Sequence, residues 1–276
     1  MNQTNDPRDI LRQVGGGPED RFDLAEAALA LAALDLPRAS LDPYRHHLDA
    51  LAKDVATACP DSGGLEERCA ALRDAIHVRH GYEGDSVTYD DLQNANLMRV
   101  IDRRKGLPVA LGILYVHAAR RHGWDIVGLS FPGHFLVRLD RAGERLIVDP
   151  FHHGRICDAG DMRDLLKTMQ GADAELTSAH YRPVSDREVL LRLQNNVKLR
   201  LIQLNQTARA AAIIENMLLF APDLHALWRE AGMMHAHAGN LRHAITAFET
   251  YLEHETGAAA RHEVAAYLQR LRSRLN

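Results

Sequence analysis

Two short segments carry the densest chemistry in this chain. They are Phe131-Pro132-Gly133-His134-Phe135 and Val148-Asp149-Pro150-Phe151-His152-His153-Gly154. A histidine with an orienting carboxylate is the base half of a nucleophilic triad, and His134 and Asp149 are the expected pair. Histidine and carboxylate also ligate zinc or iron, so His134, His152 and His153 form a metal-binding alternative. Adjacent histidines on a strand face opposite ways, so at most one of His152 and His153 joins His134 easily. A triad further needs an attacking Cys or Ser. The start of a helix is its natural seat, because the macrodipole and free N–H groups stabilise a thiolate and an oxyanion there.

The elements that must position these groups can be read from the pattern. Strand-like runs cover 126–131, 135–139 and 145–148, and Asp140-Arg141-Ala142-Gly143 turns the last two into a hairpin. That hairpin brings His134, at the start of one strand, near Asp149, at the end of the next. Ahead of it, a helix is predicted from Pro108 to about His122, started by proline and stopped by Gly123. Another is predicted from about Asp90 to Arg103, with Gln93 reaching back in a capping box. Between residues 22 and 80 the apolar spacing gives three helices, broken at Pro37 and over 59–64. Residues 172–183 read as a linker.

From Ser185-Asp186-Arg187-Glu188, a capping box, everything onward is helical. Trp228, Gly232, Ala244 and Phe248 align with Gln194, Lys198, Ala210 and Ile214, 34 residues earlier. Those are landmark positions of a tetratricopeptide repeat, and the helix that follows over 261–275 would cap the pair. The expected fold is α+β and mostly helical, with N-terminal helices, a core bearing a small antiparallel sheet, and C-terminal repeat hairpins. Its expected divisions are a flexible arm over 1–20, a core over 21–183 and a repeat region over 184–276.

Composition narrows the function classes. A formal net charge of -4 with 25% charged residues excludes a broadly basic nucleic-acid coat. No apolar run is long enough to span a membrane, and the polar N-terminus lacks an apolar signal core. Three cysteines make no disulfide framework, which points to a reducing, cytoplasmic setting. Cys59 and Cys69 fall on helical pattern as inert thiols, leaving Cys157 and Ser130 as substitute nucleophiles to weigh. Arg103-Arg104-Lys105 reads as a solvated helix end, and His235, His237 and His243 as surface or groove residues of the repeats.

The order helix, histidine strand, aspartate strand resembles the transglutaminase-like, papain-related core. In that family a glycine lies two residues before the catalytic cysteine, and the helix ends at a second glycine near offset 17. The interval from Gly106 to Gly123 matches, so the resemblance places His134 and Asp149 on the family's histidine and aspartate, and Pro108 on its cysteine. The run from Arg103 through Gly106-Leu107-Pro108-Val109-Ala110-Leu111 to Tyr115, the Pro-Gly-His-Phe block and Asp149-Pro150-Phe151 look like the SirB family. That bacterial group joins a transglutaminase-like domain to tetratricopeptide repeats and typically has this proline. The likeness runs from about residue 22 to the end and includes Asn94, which with Trp228 is taken as a binding candidate.

Proline has neither a nucleophilic atom nor an N–H for an oxyanion. The expectation is therefore a catalytically inactive transglutaminase-like protein with no cofactor, binding a protein partner through the repeat groove. The alternative is a hydrolase or transferase in which His134 and Asp149 act with an unusual nucleophile, a water or a metal.

Overall fold

The computed structural model describes residues 6–17, 21–60 and 62–274. Helix α1 (Pro7–Gly16) comes first in the chain. It belongs with the repeat helices, in one of two compact units; residues 18–193 form the other.

In the 18–193 unit, α2 (Leu24–Asp35) is apolar on nearly every side and buries Leu24, Ala25 and the whole of 27–33. A helix of that composition can only sit inside a core. Helices α3 (Asp42–Ala58) and α4 (Leu65–Arg73) follow, the latter prolonged by a π-helical turn to Arg79. The helix predicted over 90–103 is divided. A 3-10 turn over Leu92–Ala95, capped by Asp91, precedes α5 (Leu97–Arg103), which Asn96 caps by accepting from Arg99 N at 3.1 Å. Strands β1 (Glu83–Gly84) and β2 (Lys105–Gly106) pair in parallel on either side of that segment.

Helix α6 (Pro108–Arg120) has Pro108 in its first turn, as its sequence requires, and is buried along 108–116. It packs on β3 (Asp125–Leu129), which is followed across the sheet by β4 (Val137–Arg141), β5 (Glu144–Asp149) and β6 (Arg155–Cys157). Ala142 and Gly143, at φ of 51° and 87°, make the two-residue turn that registers Arg141 against Glu144. Helix α7 (Ala159–Gln170) and a 3-10 turn over Ser178–Tyr181 lead to β7 (Pro183–Val184). The predicted linker therefore ends in a strand: β7 pairs with β3 and completes an antiparallel sheet in the order β6-β5-β4-β3-β7. Nothing local in 172–183 signals this, because the partner strand lies some fifty residues away.

Helix α8 (Asp186–Gln203) starts on the predicted capping box, with Ser185 N donating to Glu188 at 2.7 Å and Glu188 N to Ser185 Oγ at 3.2 Å. The division between the two compact units falls within α8, between Leu193 and Gln194.

The repeat unit continues α8 with α9 (Thr207–Phe220), α10 (His225–His237), α11 (Leu241–His254) and α12 (Ala258–Ser273). A Cβ on Gly232 would lie 2.6 Å from the Phe248 ring, so glycine at one repeat landmark makes room for the aromatic at another. Ala210, Ile214 and Ala244 are wholly buried. Lys198, which stands at the glycine position of the first repeat, is itself buried and paired with Glu230. Helix α1 corrects the flexible arm. Capped by Asp6, it buries Leu11 and packs on α9, while residues 1–5 and 18–20 of that expectation lie outside the described residues.

Candidate functional site

Phe135 is the anchor of the site. A Cβ on Gly112 of α6 would stand 2.4 Å from its ring, so α6 has a notch that only glycine leaves open. Held there, Phe135 fixes the residue before it. His134 lies in the bend ahead of β4, because that strand starts two residues later than the expected 135, with pairing that begins at Val137 opposite Val148. Asp149 directly follows Val148, and the two side chains meet with Nε2 of His134 2.8 Å from Oδ1 of Asp149. Both residues are only 3% exposed.

The Asp149 carboxylate is heavily used. Oδ1 also accepts from Phe151 N at 2.9 Å and His152 N at 3.3 Å, and Oδ2 is 2.7 Å from Nδ1 of His152. Burial alone would raise this carboxyl, but its bonds and charge contacts with His134 and then His152 hold it below the usual range. Phe151 packs edge-on against both imidazoles, at centroid distances of 5.8 Å to His134 and 5.3 Å to His152. His153 does not join them. It stands at φ 53° in the turn after β5, and its ring packs on His77 instead. The trio is thus His134, Asp149 and His152, where the sequence expectation had His153 in the aspartate's place.

Arg192 of α8, unmarked by any local motif, supports this arrangement from below. Its guanidinium donates to Phe131 O at 2.8 Å and to His134 O at 2.6 Å, pinning both ends of the Pro-Gly-containing bend. Pro108 is buried at the first turn of α6, and the preceding residue ties that turn down, Leu107 N donating to Asn94 O at 3.0 Å.

Asn94 is fully buried and acts within the fold. Its amide donates to Thr88 O at 2.7 Å and accepts from Arg103 at 2.9 Å, so the binding candidate has no free edge for a ligand in this arrangement. Arg103 also meets the buried Asp85 at 3.1 Å, and Arg104 donates to Tyr82 at 2.6 Å and to His47 at 2.8 Å. The basic triplet therefore corrects the reading of a solvated helix end: all three residues are half-buried, and Lys105 is bridged to Glu83 at 2.9 Å. Trp228 likewise packs against the α11–α12 core and donates its indole N–H to Pro222 O at 2.9 Å.

Asp85 yields a pH prediction. Burial would raise its carboxyl, but bonds from Thr88, Asn94 and Arg103 bring it down to about 2. A depressed folded-state value contributes stability that is complete above the unfolded-state value near 3.8 and is lost as pH falls toward about 2. Acid titration of unfolding should therefore show Asp85→Asn less stable than wild type at neutral pH, with the difference closing between those two values. A constant difference across that window would contradict the assignment.

The Cys157 thiol is poorly activated for attack. Cys157 donates to Arg155 O, and burial followed by the charge of Asp149 pushes its thiol up to about 12. Burial and Glu66 push Cys69 up to about 11, and Cys59 is buried. Ser130 carries its backbone N–H to Arg182 O at 2.8 Å, in the loop that connects β3 to the bend. A cavity of about 480 Å³ beside Tyr44, His47, Asp102 and Arg104 shares no residue with the trio. No helix among the described residues is long and apolar enough to cross a membrane.

Comparison with known proteins identifies the two domain types. The transglutaminase-like superfamily model matches residues 42–195, and a tetratricopeptide-repeat model matches 197–269. A UPF0162 protein of Vibrio cholerae is 29% identical over 236 residues, covering 85% of this chain and 87% of its own. Protein SirB1 of Salmonella typhimurium is 26% identical over 158 residues, covering 57% of this chain and 58% of its own. Among solved structures, menin aligns with a TM-score of 0.44 at 11% identity, covering 89% of this chain and 68% of its own. With a superfamily match across more than half its length, joined to C-terminal repeats and to SirB1 and UPF0162 relatives, the chain belongs to the transglutaminase-like superfamily and to its SirB-like family.

Proposed function

We propose that this chain is a protein-interaction module acting through its tetratricopeptide-repeat region, carried beside a transglutaminase-like domain that does not perform acyl transfer. The observation that carries the reading is Pro108, buried at the first turn of α6 where the family expects its cysteine. A proline there offers neither thiolate nor backbone N–H, so an acyl-enzyme and its oxyanion both lack a partner. Burial of His134 and Asp149 supports the same reading, since a dyad closed to solvent is first of all a tie between two strands. Three free thiols accord with a reducing, cytoplasmic setting.

The repeat unit supplies a surface. Leu199 and Ile202, one turn apart on α8, are 56% and 40% exposed, whereas Ala210, Ile214 and Met217 of α9 are buried. Repeat pairs form grooves that accept peptides or helices, and an apolar pair on such a wall suits a partner segment with its own apolar side chains.

The test is affinity capture with the full chain, comparing wild type, a Leu199→Glu/Ile202→Glu double variant and His134→Ala. The expected result is one specific partner held by wild type and His134→Ala and lost by the double variant. Retention by the double variant, or loss through His134→Ala alone, would overturn the proposal.

A further inference from the structure

We infer that His134, Asp149 and His152 form a binding site for one divalent first-row transition-metal ion, of the zinc and iron class. The inference does not rest on the repeat-groove reading. The three side chains each offer a ligand atom, and those atoms all lie within 4.8 Å of one another. Two imidazoles and one carboxylate are the donor set that zinc and non-haem iron sites use, while magnesium and calcium prefer oxygen alone.

The separations suit insertion of an ion. His134 Nε2 to Asp149 Oδ1 is 2.8 Å, and His152 Nδ1 to Asp149 Oδ2 is 2.7 Å. With ligand bonds of about 2.0–2.1 Å, the edges of a tetrahedral or octahedral shell measure about 3.0–3.3 Å. Each of these two contacts would open by a few tenths of an ångström with the carboxylate facing the ion, and the two imidazole nitrogens, within 4.8 Å of each other, would close toward it. In the metal-free form each imidazole points a proton at the carboxylate. On binding, the near nitrogen becomes the ligand and each ring keeps one proton on its far nitrogen, so charge and protons balance.

Ligand orientation is built in before any ion arrives. Phe151 N and His152 N hold the Asp149 carboxylate, Phe151 walls both rings, and Arg192 pins the His134 carbonyl. Outer contacts of this kind keep first ligands in register. Two ligands are buried, but the side chain of His152 is 56% exposed, so one face of the trio borders solvent. That combination, closed behind and open in front, is the pattern of metal sites that bind a further molecule. His153, directed to His77, is the natural control.

The experiment titrates Co2+, as a spectroscopic probe, and Zn2+ into the tag-free, chelator-stripped full chain. One equivalent should bind, with d–d absorption showing nitrogen coordination of the cobalt. His152→Ala, a change at a half-exposed side chain that leaves folding intact by circular dichroism, should weaken binding at least about 100-fold, beyond the loss typical of an outer contact. His153→Ala should bind as wild type does. No saturable binding to wild type, or equal affinity in His152→Ala and wild type, would overturn the assignment.

Discussion

Asp149→Ala should lower the stability of the 18–193 unit by about 3–5 kcal/mol, measured by urea unfolding with a chelator present. A single carboxylate there receives His134, His152 and two backbone N–H groups, at 2.7–3.3 Å. Alanine leaves Nε2 of a 3%-exposed histidine and the N–H groups of the turn without their acceptor. Amide exchange should then rise locally, across the bend before β4 and the turn after β5, because this carboxylate ties those two segments together. Asp149→Asn should recover part of the loss, since an amide keeps one acceptor oxygen. A loss below about 1 kcal/mol in Asp149→Ala would show that the carboxylate is held for its chemistry and not for the fold.

The second large effect lies at the opposite end of the sheet. Arg120→Met should also cost about 3–5 kcal/mol, because the Asp186 carboxylate, with only 3% of its side chain exposed, would lose its cation. Arg120 grips that group with two nitrogens, at 2.6 and 2.8 Å, and Phe22 N adds a third contact at 3.3 Å. Asp186 begins α8, so this one carboxylate secures the end of α6 and the entry to α2 against the start of that helix. The double variant Arg120→Met/Asp186→Leu should be more stable than Arg120→Met alone, as removing an isolated buried charge relieves the penalty. Equal or lower stability of the double variant would contradict this account.

Much of the site was legible because its signals are local. Period-two hydrophobicity with a turn at Asp140-Arg141-Ala142-Gly143 implies a hairpin, and a hairpin necessarily sets the residue after Val148 near the bend before Val137. Pro108 and Gly123 bracket a helix by backbone rules alone. The repeat landmarks were readable for a comparable reason: Gly232 and Phe248 are a size pair, and size pairs leave a trace in residue type.

Other parts had no local trace. Arg192 grips a bend 58 and 61 residues away, and nothing in its own helix distinguishes it from an exposed arginine. Helix α7 and strand β6 went unassigned, β7 lay hidden in an apparent linker, and α1 in an apparent arm. Short elements of this sort are stabilised by what they touch and not by intrinsic propensity. Alternation along a strand would send His152 and His153 to opposite faces, but the two lie in the turn after β5, where that rule does not apply. A left-handed turn at His153 decided which one joins His134.

From the amino-acid sequence alone followed the main helices and the hairpin of the core, the repeat helices, the meeting of His134 with Asp149, and, through the family resemblance, the expectation that Pro108 stands at the nucleophile position. The tertiary structure decided that Asn94 and Trp228 serve packing, that His152 completes a trio on one carboxylate, and that the dyad is closed while its third member is open. The reason is physical. Backbone propensity and periodicity act over a few residues, whereas burial and the sharing of a carboxylate depend on segments that only folding brings together.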